Sequence, residues 1–269
     1  MKINSTSLDT LCAALAEIMG IEKPACAADP CEKLTDYVCR KLEGRKADRV
    51  FMYNPDAIGE WLYDKYRTYF AEADAAAPLN VEFCTVMPSV TPVCFGTMYT
   101  GAQPSVHGIQ SYTKPVIAID TLFDSLIRAG KKAAIVADTT SSMAHIYLEK
   151  EMDYYIFDTI EEINSCASRL IEEDKYDFIA VYNGNYDGTM HRWAPESMRS
   201  IAEMRANVTA FAQFAAQIRK SWADHDTLVG FAMDHGCHEI DGDLGSHGLD
   251  MPEDLNIVHL YGVYPASGK

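Results

Sequence analysis

The chain has no pair of cysteines two residues apart, no long apolar run and no cluster of lysine and arginine, and each absence removes a class of protein. Its 8 cysteines, Cys12, Cys26, Cys31, Cys39, Cys84, Cys94, Cys166 and Cys237, show no CxxC spacing. They fit neither a disulfide scaffold nor a usual zinc knuckle, and most read as buried small apolar side chains. No apolar stretch approaches the roughly 18 to 20 residues that a membrane span needs, so no membrane partner is expected. With 23 Lys and Arg against 39 Asp and Glu, the net charge is -16. Nucleic-acid polymers are drawn to clustered basic side chains, so they are not expected as partners either. The opening stretch "MKINSTSLDTLCAALAEIMG" carries one lysine ahead of a short apolar run interrupted by Asp9 and Glu17. That is a poor secretory signal, and a cytoplasmic location is expected. Linkers, low-complexity tracts and internal repeats are absent.

What remains is a 269-residue chain, 48% hydrophobic and 23% charged, which suits one main globular domain. Residues 1–45 read as an N-terminal helical segment. It holds "SLDTLCAALAEIM" and "DPCEKLTDYVCRKLEG", the second with Asp29 as N-cap, Pro30 at N1 and Gly44 as stop. Three roles are open to this segment: packing on the core, contact in a homo-oligomer, or cover over a site. From residue 46 to 269 short β-rich runs alternate with amphipathic helical stretches. "RVFMYN", "VEFCTVM", "KAAIVAD", "YYIF", "DFIAVYN", "TLVGFAM" and "NIVHLYGV" read as strands. "AIGEWLYDKYRTYFAEA", "TIEEINSCASRLIEED" and the long "ESMRSIAEMRANVTAFAQFAAQIRKSW" read as helices, with another starting at Pro92. Such alternation predicts a three-layer α/β/α sandwich around a mainly parallel sheet.

In open parallel sheets, ligands bind beyond the carboxyl ends of the strands, so the polar residues after each apolar run carry the interest. These are Asp56 after "RVFMYNP", Thr91 after "VEFCTVMPSV", Asp187 and His191 in "NGNYDGTMH", and Asp234, His235 and His247 in "FAMDHGCHEIDGDLGSHG". Three carboxylates and three imidazoles are about what two divalent ions need when a nucleophile or water completes each shell. Mixed oxygen and nitrogen donors suit zinc, or manganese and iron where oxygen dominates. Two such ions would bring +4 against the -3 of the carboxylates, making an anion-binding site inside an acidic protein. Thr91 precedes Pro92 and is expected at a helix N-cap, where free first-turn N–H groups would cradle a phosphate beside its hydroxyl. A hydroxyl is a weak nucleophile until a base or metal lowers its pKa, which a metal at Asp56, Asp234 and His235 could do.

The set "NPDAIG", "PSVTPVCFGTMYTGAQPSVHGI", "YDGTMHRWAPES" and "MDHGCHEIDGDLGSHG" resembles the alkaline phosphatase superfamily, and within it the nucleotide pyrophosphatase/phosphodiesterase-like branch. The likeness runs in order from about residue 48 to residue 262, and its specificity lies in the ordered series rather than in any one piece. The resemblance implies an alkaline phosphatase-like core. It places one ion on Asp187, His191 and His247, and a second on Asp56, Asp234 and His235 with Thr91 adjacent. Zinc is usual in that branch and manganese in some mutase relatives. Thr91 would attack phosphorus in line, form a phosphothreonine and be released by water, so the implied partner is a small-molecule phosphate ester. A phosphomonoesterase, a phosphotransferase or mutase, and a degenerate non-catalytic member are the alternatives.

Cys94 departs from the pattern, because phosphodiesterases of this branch usually have asparagine three residues after the nucleophile. Asn183, Asn185 and Arg192 are the candidates to replace it. The C/S–x–P–x–R setting of a sulfatase is missing around Thr91. His107 is expected to support its loop by hydrogen bonding. Most of His238, Glu239, Asp241 and Asp243 are expected to be solvated loop residues, and His145, His225 and His259 surface or satisfied core histidines.

Overall fold

Apolar runs of five to seven residues without alternation are strands buried on both faces, and three of them form the middle of the sheet. A computed structural model of the chain describes residues 2–268. Its strands in chain order are β1 (Thr6–Ser7), β2 (Arg49–Pro55), β3 (Leu79–Cys84), β4 (Ala133–Asp138), β5 (Asp153–Phe157), β6 (Phe178–Asn183), β7 (Thr227–Phe231), β8 (His238–Ile240), β9 (Leu244–Ser246) and β10 (Asn256–Tyr264). Eight of them form one sheet in the order β1-β3-β10-β7-β2-β6-β4-β5. The neighbouring strands β7, β2 and β6 are buried almost throughout, whereas the edge strand β5 keeps every residue partly accessible. All pairings in the sheet are parallel except those of β10, which runs antiparallel to both β3 and β7. Strands β8 and β9 form a separate antiparallel hairpin.

Two sets of helices cover the sheet, giving a three-layer α/β/α arrangement. One set contains the helices Thr10–Met19, Thr91–Thr100, Leu122–Arg128 and Ser142–His145, in mutual contact. The other contains Ala71–Ala76, Ile160–Glu173, Asn185–Trp193 and the 24-residue Met198–Ser221. In that last helix Met204, Val208, Phe211, Ala215 and Ile218 recur every three or four residues and are buried, as an amphipathic helix requires. Phe211 and Phe214 meet the Tyr53 ring of β2 at 6.3 and 5.9 Å, so this helix anchors the strand that ends at Asp56.

The N-terminal residues pack on the core. Strand β1 pairs with β3, and Leu8, Leu11, Leu15, Leu34 and Val38 belong to the same buried cluster as the sheet. The second N-terminal helix spans Glu32–Lys41 with Cys31, not Asp29, as its N-cap. Cys31 N–H bonds the Thr10 carbonyl, which holds the chain against the first helix until that point. The "AIGEWLYDKYRTYFAEA" stretch is not one helix but Glu60–Lys65, a 3-10 turn at Arg67–Phe70, and Ala71–Ala76. Its break falls at Tyr66, at φ -110° and ψ 29°, whose hydroxyl donates to Glu196 at 2.6 Å. Among the described residues no helix is long and apolar enough to cross a membrane.

Candidate metal centre

Parallel strands deliver their carboxyl ends to one edge, and the carboxylates and imidazoles singled out above arrive there from several chain segments. Asp56 follows the last residue of β2, and Asp234 and His235 lie three and four residues beyond the end of β7. Asp187 and His191 sit on the helix Asn185–Trp193 that follows β6, four residues apart and so on one face. His247 is carried in by the residue after the β8–β9 hairpin. Thr91 is the first residue of the helix Thr91–Thr100, with Val90 as N-cap and Pro92 behind it.

These side chains form two groups, and within each the candidate ligand atoms lie within 4.8 Å of one another. Asp56, Asp234 and His235 are buried, with His235 Nε2 3.4 Å from Asp56 Oδ1 and 3.3 Å from Asp234 Oδ2. Asp187, His191 and His247 are more open. Asp187 Oδ1 lies 3.2 Å from His191 Nε2 and 3.4 Å from His247 Nε2, and the two Nε2 atoms are 3.1 Å apart. Thr91 Oγ1 belongs to the first group, 3.4 Å from Asp56 Oδ2 and 3.3 Å from His235 Nε2.

The ring nitrogens decide what these groups fit. In each of the three histidines Nδ1 faces a backbone carbonyl: His191 that of Gly245 at 2.9 Å, His235 that of Gly236 at 2.9 Å, and His247 that of Ser89 at 3.0 Å. A carbonyl only accepts, so Nδ1 carries the proton and, in the neutral ring, Nε2 presents a lone pair. Those lone pairs face Asp56 Oδ1, Asp187 Oδ1 and Asp234 Oδ2, three buried carboxylate oxygens without a hydrogen-bond partner among the described residues. Acceptors turned toward acceptors require a cation or a proton between them. Imidazoles fixed through Nδ1 by outer carbonyls are also how metal-ligating histidines are oriented. The donor set therefore fits two divalent ions.

Proton affinities follow the same crowding. Burial, then the charge of Asp187, pushes the Asp56 carboxyl up to about 7. Burial, then the charge of Asp56, drives Asp234 well above the carboxylate range. His235 is held well below its ordinary value by burial and by His247. The neighbouring Asp187 carboxylate, 3.2 Å from Nε2, raises His191 to about 9.

A cavity of about 700 Å³ opens beside these residues, lined by Asp56, Thr91, Tyr182, Asp187, Asn185 and Arg192 among others. Tyr182, the penultimate residue of β6, was not legible as functional because an aromatic side chain is ordinary in a buried strand. Its hydroxyl donates to Asp56 Oδ2. Of the candidates to replace the missing asparagine, Asn185 and Arg192 line the cavity, while Asn183 is occupied by Tyr53 Oη and the Asn185 N–H. Cys94 is fully buried and does not line it. Because the Val93 and Cys94 N–H groups both bond the Val90 carbonyl and Pro92 has none, the helix start offers a phosphate the Thr91 N–H rather than a cradle. His107 supports its loop: Nε2 lies 3.1 Å from Thr97 Oγ1, and Nδ1 accepts from the Ile109 N–H at 3.3 Å. His238 is not a solvated loop residue, since it bonds buried Asp254 at 2.7 Å.

The fold and this donor arrangement together describe a mainly parallel α/β protein with two groups of candidate metal ligands at the strand carboxyl ends. No protein-family model matches the sequence, and no curated protein does. Solved structures with the same fold include murine ectonucleotide pyrophosphatase/phosphodiesterase 5 in an inactive form with AMP, at TM-score 0.58 and 15% identity, covering 72% of this chain and 59% of that one. Phosphonoacetate hydrolase from Sinorhizobium meliloti 1021 with phosphonoformate matches at TM-score 0.54 and 16% identity, covering 76% and 61%. The C-terminal periplasmic domain of EptC from Escherichia coli, in complex with Zn, matches at TM-score 0.52 and 12% identity, covering 83% and 74%. These are proteins of the alkaline phosphatase superfamily, and the chain has their fold. It spans about three fifths of the length of the first two.

Proposed function

We propose that the chain is a two-metal phosphoric ester hydrolase, cleaving diester or pyrophosphate-like links through a phosphothreonine at Thr91. The observation that carries this reading is the convergence of three Nε2 lone pairs and three unpartnered carboxylate oxygens beside one threonine hydroxyl. Asp187, His191 and His247 would hold one ion, and Asp56, Asp234 and His235 the other, with zinc favoured by the mixed nitrogen and oxygen donors. Bound there, the ions supply positive charge that lowers hydroxyl pKa values and stabilises phosphoryl oxygens. The AMP and phosphonoformate held by similarly folded proteins support a small phosphorus-containing substrate. The eight unpaired cysteines support a reducing, cytoplasmic setting.

Thr91, buried at the head of its helix, would use Oγ1 on phosphorus. The hydroxyl loses its proton to solvent, the bond from Oγ1 to phosphorus forms, and the opposite phosphorus–oxygen bond breaks, the departing oxygen taking a proton from solvent to leave as an alcohol. Water then cleaves the Oγ1–phosphorus bond, releases the phosphomonoester and restores the hydroxyl. Tyr182 holds Asp56 in place through its hydrogen bond, and Arg192 at the cavity wall offers a guanidinium to a phosphate oxygen.

The test is turnover of nitrophenyl monoester, diester, phosphonate and sulfate substrates by metal-reconstituted protein, beside Thr91→Ala. Diester turnover is expected to lead, and Thr91→Ala to lose about 10³-fold or more in rate while keeping its metal. Wild-type rates in Thr91→Ala would remove the mechanism.

A further inference from the structure

The cavity is much larger than a phosphate group, and most of its wall lies away from Thr91. Beyond Tyr182 it runs over the carboxyl ends of β4 and β5, where Asp138, Ser142, Asp158 and Glu161 line it. We propose that this far end is a subsite for a protonated amine carried on the organic group of the ester, an inference that rests on the hydrolase reading of the Thr91 site.

Two independent features point there. The first is Ser142, 1% exposed, which lines the cavity and whose Oγ has no hydrogen-bond partner among the described residues. A buried hydroxyl left unmatched is costly, and an N–H of a bound ammonium would satisfy its oxygen. The second is charge. Asp138 uses Oδ1 for the Thr140 N–H and hydroxyl, at 2.9 and 2.7 Å, and Asp158 uses Oδ1 for the Thr139 hydroxyl at 2.6 Å. These hydrogen bonds leave Oδ2 of each aspartate unused, and Glu161 adds a third carboxylate to the cavity wall.

The basic side chain at this end, Lys114, donates to the Thr140 carbonyl and lies 5.3 Å from the Tyr112 ring centroid, without pairing to any of the three acids. The helix Ile160–Glu173 begins here, but Glu161 and Glu162 in its first turn offset the positive end of its dipole. The wall therefore attracts a cation and repels a second anionic group, while the ions at the other end take the phosphate.

Binding and turnover are measured with matched ligands. Aminopropyl, butyl, hydroxypropyl and carboxypropyl phosphonates are titrated by calorimetry into metal-reconstituted protein, and the corresponding nitrophenyl phosphodiesters are assayed for kcat/KM. The aminopropyl ligand is expected to bind about tenfold or more tightly than its butyl isostere, and the carboxypropyl ligand to bind worst. The double variant Asp158→Asn, Glu161→Gln is expected to remove most of the preference for the amine. Ser142→Ala is expected to reduce it about threefold or more. Equal binding of the amino and butyl ligands, no binding of either, or an equal preference for the hydroxypropyl ligand would overturn the subsite. Amine-selective phosphonate binding without turnover of any ester would leave the subsite standing and remove the hydrolase reading. Turnover of the esters without selectivity would do the reverse.

Discussion

The imidazole of His247 lies over that of His235, with ring centroids 4.1 Å apart and planes inclined by 32°. His247 belongs to the open group with Asp187 and His191, and His235 to the buried group with Asp56 and Asp234. The two groups thus share a wall, and a change on one side moves a donor on the other. His247→Ala is expected to lower the metal content from about two ions per chain to one or fewer, and to weaken the ion that remains. Elemental analysis of protein dialysed against buffered zinc measures this. Retention of both ions at wild-type affinity would show that the groups do not contain the ions.

The Tyr182 hydroxyl donates to one candidate ligand, Asp56, so its removal separates orientation from ligation. Tyr182→Phe keeps the ring that meets Phe95 at 5.7 Å and deletes only the hydroxyl that fixes Asp56 Oδ2. Removing an outer partner of a metal ligand typically costs about 10- to 100-fold in metal affinity or activity. The variant is expected to fall in that range with its melting temperature little changed. A wild-type rate and wild-type metal affinity would assign the tyrosine to packing alone.

Metal loading is expected to depend on pH, with a sign set by the protons that the ions displace. In the metal-free protein Asp56 is raised to about 7 and His191 to about 9, so both hold protons in mildly acidic solution. Ligands must be deprotonated to bind, so affinity rises with pH and loading below pH 7 releases protons from both groups. Above pH 9 Asp56 and His191 are deprotonated and no longer contribute to the dependence. Titration calorimetry in buffers of different ionisation enthalpy counts the protons released. An affinity constant from pH 5 to pH 9 would contradict the burial of Asp56 beside Asp187.

The legible part of the fold and site was the part carried by runs and by strand ends. Continuous apolar runs announced β2, β6 and β7, and the polar residues just after them are those that the sheet brings together. Short elements left no such trace. Strand β1 is two residues long, and the β8–β9 hairpin is built on the polar stretch "HEIDGDLGS", whose alternation is too brief to separate from a loop. The reversed direction of β10 is decided by pairing with β3 and β7, which no local pattern reports. Pro92 located the start of the helix to within one residue but placed the cap on Thr91 instead of Val90. That single residue matters, because it removes the phosphate cradle and leaves the Thr91 N–H.

Gly236 shows why the residue after His235 has no side chain. A Cβ built there would lie 2.0 Å from the Glu253 carbonyl oxygen and 3.0 Å from Gly59 Cα, both backbone atoms that cannot swing aside. The Gly236 N–H donates to the Asp254 carbonyl at 2.8 Å, and its own carbonyl takes the His235 Nδ1 proton at 2.9 Å. Buried Asp254 in turn accepts from His238 at 2.7 Å and from the Leu249 N–H at 2.8 Å. Gly236→Ala therefore forces apart two backbone segments that fix both the tautomer of His235 and the approach to His247. Overpacking of this kind costs about 3 kcal/mol, which for a chain of this size lowers the melting temperature by about 5 to 10 °C. Thermal unfolding monitored by circular dichroism, with zinc content measured on the same samples, is expected to show both losses together. A wild-type melting curve and full zinc content in the alanine variant would mean that the segments can separate without cost, and that the close packing at Gly236 does not hold His235 in place.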